Sequence, residues 1–297
     1  MGGRTLATLD DLVSRVYDAA PTRTLFHYTS LQGLLGIVNS GALWVSEARH
    51  MNDVAELTHF ARLVTDNVAQ RLSADVEVAE IENQLQNWLK QRVQDGHLIF
   101  AGSFTENGDL LSQWRGYCPP GQGVSLGFHP SRIARAALAQ SFLLGRCIYA
   151  IAEQQQLAEE TAKAVVAAAK AAGPVPANKA HPTQSYHPTF EQLLPSILTL
   201  AALMKNPAFA EEQEWRIVSP PLSNYVLPPI HYRAGTSMLV PYLEFELPRH
   251  QDGLVEMTEL CVGPTPTMNL SMRSIRMFIS KRAVCPITRS SQVPYRA

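Results

Sequence analysis

The chain has 297 residues, 46% of them hydrophobic, and a formal net charge of −1. That length allows one large domain or two smaller ones and supplies ample apolar surface for a core. Near-neutral charge argues against a broad electrostatic footprint for nucleic acid and leaves only a local basic groove as an option.

No apolar run is long enough to cross a bilayer, so no membrane partner is expected. The opening MGGRTLATLDDLVSRV carries acids where a secretory leader would have its apolar core. Cys118, Cys147, Cys261 and Cys285 are scattered without a CxxC pair. They read as reduced thiols in a cytoplasmic protein.

Residues 7–19 predict a short amphipathic helix within an N-terminal helical extension over 1–20. The stretch LFHYTSLQGLLGIVNSGALWVS, residues 25–46, reads as strand, helix and strand. Leu31, Leu34, Leu35 and Val38 fall on one helical face. Thr29 or Ser30 is the expected N-cap, and Ser40-Gly41 the expected stop. A histidine at the mouth of a strand, facing a helix N-terminus, suits an anionic or nucleotide ligand. His27 could equally satisfy backbone groups at a strand edge.

Asp53 with Glu56 three residues on reads as a capping-box variant before Leu57, Phe60, Val64 and Val68. A second helix carries Val78, Ile81, Leu85, Trp88 and Leu89. The pair predicts a helical hairpin insertion over 52–95, packed on the sheet. Asn52 or Asp53 either caps this helix or faces the same cleft as His27.

Residues 97–128 hold the densest polar and aromatic block. Leu98–Phe104 and Val124–Phe128 read as strands. The expected loop between them carries Glu106, Asn107, Asp109, Ser112, Gln113, Trp114, Arg115 and Tyr117. So many polar and aromatic groups between core strands call for solvent or a ligand. Trp114 is either a core anchor or a ligand contact, and Arg115 either an ion-pair partner or a ligand contact. The PPGQG turn lacks the lysine and helix start of a phosphate loop.

Ser131 to Lys170 is alanine-rich and helical, with a strand expected over Gly145–Ile151. A proline-rich excursion follows over 173–192; His181 and His187 in it have no partner at metal-ligand spacing, so no metal is expected. A helix is predicted over Phe190–Met204. The block KNPAFAEEQEWRIV then leads into a strand at Glu214–Val218. Alternation puts Glu214 and Arg216 on one face, with Trp215 and Ile217 on the other. The pair either neutralise each other or form a catalytic carboxylate and its orienting cation. Strands around His231–Arg233, Met238–Glu246 and Glu259–Val262, a helix over Thr267–Phe278 and a strand near Val284–Thr288 complete the chain. The simplest reading is one α+β domain whose mixed, largely antiparallel sheet is flanked by helices.

The blocks HYTSLQGLLGIVNSGALW, HMNDVAEL, SFTENGDLLSQWRGYCPPGQGVSLGF, FAEEQEWRIV and the terminal VPYR together resemble a largely bacterial family, domain of unknown function 2971. The resemblance runs from about Leu25 to the C-terminus and brings no activity with it.

The order strand-His-x-Thr, helix, small-residue turn and strand more distantly resembles the opening of ADP-ribosyltransferase folds. That resemblance implies a split sheet and NAD as substrate. It implies His27 as the ribose anchor, Tyr28 and Thr29 beside it, Glu214 stabilising the ribose cation, and Arg216 orienting Glu214 or contacting phosphate. In those folds an aromatic group stacks on the nicotinamide. Here Trp44 stands on the strand after the first helix, and Trp114 and Tyr117 are the other candidates. The acceptor would be nucleic acid, protein or water, as for an intracellular toxin or phage-defence effector. Two other classes stay open: a nucleotide-sensing module without turnover, and a magnesium-dependent hydrolase using Asp53, Glu56, Glu106 and Asp109.

Overall fold

A computed structural model describes residues 7–51, 55–70, 73–176, 179, 181–223 and 229–295. The chain opens with helix α1 (Leu9–Tyr17), whose first turn is closed by a Thr8–Asp11 capping box. Strand β1 (Leu25–Ser30) runs directly into α2 (Leu31–Ser40). Of the two expected caps it is Ser30 that serves, its hydroxyl accepting from the Gly33 amide at 3.0 Å. Gly41 ends the helix at φ +74°, where a side chain would be strained.

Next come β2 (Ala42–Glu47), α3 (Ala55–Ala69) and α4 (Val76–Asp95). Asp53, the expected cap of α3, lies outside the described residues. The α3–α4 hairpin shares its core with the helices Ile151–Ala172 and His187–Ala201 as one helical layer over the sheet. Strand β3 (Phe100–Thr105) leads to α5 (Leu111–Tyr117) and then to β4 (Gly123–Phe128). The expected loop between β3 and β4 therefore contains a two-turn helix. Residues Leu111 to Tyr117 are too few to show a decisive helical period.

α6 (Pro130–Ala139), β5 (Leu143–Arg146), α7 (Ile151–Ala172) and α8 (His187–Ala201) follow. β5 starts earlier than expected, and α7 begins at Ile151, where the strand was predicted to end. The described part of the proline-rich excursion docks on α4, where the Gln84 amide donates to the Pro182 carbonyl and the Ser185 hydroxyl, both at 3.1 Å. β6 (Glu214–Val218) has its expected bounds. The chain ends through β7 (His231–Ala234), β8 (Leu239–Glu246), β9 (Val255–Glu256), β10 (Glu259–Val262), α9 (Met268–Ile279), β11 (Ala283–Val284) and β12 (Ile287–Ser290). Short β9 and β11 pair in a separate two-stranded sheet that the sequence reading did not anticipate.

The architecture is α+β around a mixed, mostly antiparallel open sheet; among the described residues of the main sheet, the β10–β12 strand pairing is the parallel one. Beside a smaller cluster of Phe26, Tyr28, Trp114, Cys118 and Cys261, the two largest apolar cores among the described residues lie on the two faces of the sheet. One holds the hairpin with α1, α7 and α8, and the other holds residues of α2, α6 and α9 together with Trp215 and Ile217. The strand alternation expected for β6 is thus observed.

β3 is where the sheet divides. One edge of β3 pairs along its length with β6, from Ala101↔Val218 to Thr105↔Glu214. The other edge is shared by two strands. β1 meets it only at Phe26↔Thr105, and β2 only at Ser46↔Ala101 and Glu47↔Phe100. Each then diverges, β1 toward β4 and β2 toward β8. The middle of β3 is left facing a gap between them.

Candidate functional site

That gap is a cleft of about 690 Å³. His27, Tyr28 and Thr29 of β1 line one side, Trp44 and Ser46 of β2 the other, and Gly102 to Thr105 of β3 the floor. Tyr117, Glu212 and Glu214 also reach it.

His27 Nδ1 lies 3.0 Å from the Ser103 carbonyl, which can only accept, so the proton sits on Nδ1. Burial pushes this imidazole below its usual range, against the Ser103 bond. The neutral ring therefore keeps Nε2 as a free acceptor. The next residue splits its two roles. The Tyr28 ring is buried edge-on to Trp114, with centroids 4.5 Å apart, and its hydroxyl is used by the Asn107 carbonyl and the Leu110 amide. Its backbone faces the gap: Leu31 N–H bonds Gln122 on β4's side, and antiparallel alternation turns the amide and carbonyl of Tyr28 the other way. Thr29 supports α2, because a Cβ on Gly33 would collide with the Thr29 hydroxyl. Two first-turn amides of α2 are already taken, Leu31 by Gln122 and Gly33 by Ser30.

Glu214 is 3% exposed and belongs to a buried charged chain. Its Oε1 accepts from the Ser103 hydroxyl and from Arg216 Nε, the latter at 2.8 Å. Its Oε2 takes the Lys205 ammonium, which also lies 2.8 Å from Glu212. Arg216 turns its other edge to Glu56 on α3 and to the Ala202 carbonyl after α8. Burial opposes ionisation of Glu214, but Arg216 and Lys205 outweigh it and hold the carboxyl at about 2. Burial likewise opposes the charge on Lys205, yet Glu214 raises its ammonium well above the usual range. Burial raises Glu56, against the pull of Arg216. The Glu214–Arg216 pair neutralise each other, and the Arg216 contact fixes the carboxylate's orientation.

The remaining sites separate. Tyr117, at the end of α5, lines the cleft and is 38% exposed. Burial of its phenol pushes it up to about 12, against Lys205, so it stays a proton donor. Trp114 and Arg115 line a different cavity, with Pro119, Pro120 and Tyr295. Trp114 is buried, with its Nε1–H on Asp109 at 2.8 Å. Asn52, like Asp53, lies outside the described residues. The carboxylates considered for magnesium are apart: Glu56 is on Arg216, Glu106 takes the Trp215 Nε1–H, and Asp109 holds Trp114 and Ser291. No cluster of metal-ligating side chains occurs among the described residues.

Sequence reasoning gave no role to Ser103 or Lys205, and read Glu56 as a capping acid or a magnesium ligand. It gave no role to Arg233, whose guanidinium meets Ser46 Oγ at 3.0 Å at the cleft's edge. Trp44 keeps 49% exposure while stacking on Tyr242 at 4.4 Å, so one indole face is open to the cleft.

No helix among the described residues is long and apolar enough to cross a membrane. No curated protein matches the chain. Residues 113–217, from within α5 to within β6, match the family model described as Protein of unknown function (DUF2971). The match includes Tyr117, Lys205, Glu214 and Arg216. That stretch is similar to the domain-of-unknown-function family 2971 that the sequence blocks resemble.

Proposed function

We propose that this protein binds NAD in the cleft at the split of the sheet and breaks the nicotinamide–ribose bond, passing ADP-ribose to a nucleic acid, a protein or water. One observation carries the reading: Ser103 bonds His27 through its carbonyl and Glu214 through its hydroxyl, so the two groups share one cleft. Bond breaking gives the ribose oxocarbenium character, and a carboxylate held ionised at about 2 meets that charge without reorganising. The free Nε2 of His27 suits a ribose hydroxyl. The unpaired backbone of Tyr28 suits the nicotinamide amide, and the open face of Trp44 or the ring of Tyr117 suits the nicotinamide ring.

A second reading, nucleotide binding without turnover, draws support from Lys205 and Arg216, which already neutralise the Glu214 charge. Free nicotinamide release from NAD, compared with Glu214→Gln, separates the two. Release that depends on Glu214 supports cleavage. Thermal stabilisation by NAD without release supports binding alone. Absence of both release and stabilisation sinks the NAD reading.

A further inference from the structure

β2 ends at Glu47, opposite Phe100, and Ala48–His50 form a single 3-10 turn. The Glu47 side chain is wholly buried. Its carboxylate accepts from the Arg49 amide at 2.9 Å, from the Arg49 guanidinium at 2.6 Å and from His50 Nδ1 at 2.8 Å. Arg49 also donates to the Val93 and His97 carbonyls, both at 2.9 Å, which ties the turn to the end of α4. Capping the turn needs only the Arg49 amide and neutralising Glu47 needs only the guanidinium. Neither explains an imidazole fixed on the same carboxylate.

His50 lines the cleft that holds Ser103 and Glu214, and its side chain keeps 29% exposure. Donation from Nδ1–H to Glu47 sets the tautomer, so Nε2 carries the lone pair. The charged groups around it are Glu47 and Arg49 from its own turn and, elsewhere on the cleft, Glu212 and Glu214 with Lys205, and Arg233 of β7.

We infer that His50 is the base that deprotonates the acceptor hydroxyl, with Glu47 as its positioning residue; this rests on the NAD-cleaving reading above. The acceptor, water or an alcohol, gives its O–H proton to His50 Nε2 as its oxygen bonds to ribose C1′. The C1′–N bond breaks at the same centre, and its electron pair leaves with neutral nicotinamide. Glu214 meets the ribose charge and His50 takes the proton, so a residue of β6 and one of the turn after β2 divide the work.

The experiment is nicotinamide release by the full chain from about pH 5 to about pH 8, for wild type, Glu214→Gln, His50→Ala and His50→Gln. Both His50 variants are expected to lower the rate by roughly 10²-fold or more, with KM for NAD unchanged, and to flatten its rise with pH. Free imidazole is expected to restore rate to His50→Ala and none to Glu214→Gln. Wild-type rates in the His50 variants, or a loss that imidazole does not restore, overturn the assignment while Glu214-dependent release keeps the NAD reading standing. A wild type with no Glu214-dependent release overturns cleavage itself and the role of His50 with it.

Discussion

His27 and Glu214 stand on opposite edges of β3 and are joined through one residue of it, Ser103. The imidazole meets the Ser103 carbonyl at 3.0 Å and the carboxylate receives the Ser103 hydroxyl. Their separation is therefore set by strand geometry and not by a loop, which is the rigid mounting a reacting pair requires.

Ser103→Ala tests this mounting selectively, because it keeps the carbonyl on His27 and removes only the hydroxyl from Glu214. A hydrogen bond to a charged acceptor contributes about 1.5–3 kcal/mol. If the bond strengthens toward the transition state, nicotinamide release should fall roughly 10- to 150-fold. NAD-induced stabilisation should be nearly unchanged, since His27 keeps its partner. Equal losses of binding and turnover would instead mean that Ser103 shapes the cleft as a whole.

Arg216 is expected to be the most sensitive position for folding. Its side chain is 3% exposed and bonds two carboxylates and a carbonyl. Arg216→Met leaves Glu214 and Glu56 buried without that cation, so urea denaturation should show a loss of about 3–5 kcal/mol. Removing Glu56 as well, as Leu, should recover part of it, because burial already disfavours that charge. A fully additive double variant would show that the two side chains act independently.

The same network gives opposite pH signs. Glu214 is depressed from 4.5 to about 2, so its contribution is present above 4.5 and is lost as pH falls toward 2. Glu56 is raised, so its contribution is present below the ordinary value of 4.5 and is lost as pH rises through its raised value. Melting temperature measured against pH should show a steep acid limb in wild type. That limb should be shallower in Glu214→Gln, at a lower overall stability, because Lys205 and Arg216 lose a partner. Glu56→Gln should remove the loss on the rising side and leave the acid limb in place.

Local features of this fold were legible and non-local ones were not. Ser30, Gly41 and the alternation of Glu214 with Trp215 follow from cap chemistry and strand period, and each is observed. The division of the sheet is not local: it depends on β1 and β2 both claiming one edge of β3, which no period reveals. Glu56 resembles a helix-start acid in sequence, yet its partner Arg216 lies 160 residues away. Lys205 sits beyond the end of α8 with no pattern to mark it, and only the fold brings it to Glu214. The polar-aromatic block contains Tyr117, which lines the cleft, but no period in it marks the helix that sends Tyr117 and Trp114 to different cavities.

That helix supplies the last test. Trp114 is 5% exposed, packs on Tyr28 and anchors its indole N–H on Asp109, so Trp114→Ala should cost about 3–5 kcal/mol of stability. Tyr117 is 38% exposed at the cleft, so Tyr117→Ala should change stability by only about 0.5 kcal/mol. Its effect should appear in ligand binding, as a smaller thermal shift with NAD, because an aromatic face has been removed from the cleft. Tyr117→Phe keeps that face and loses only the hydroxyl, so retention of the full shift assigns Tyr117 to stacking. A shift lost in Tyr117→Phe as well assigns it to hydrogen bonding and leaves Trp44 as the stacking surface. An undiminished shift in both places the ligand's ring on Trp44 alone, the other large aromatic face open to the cleft among the described residues.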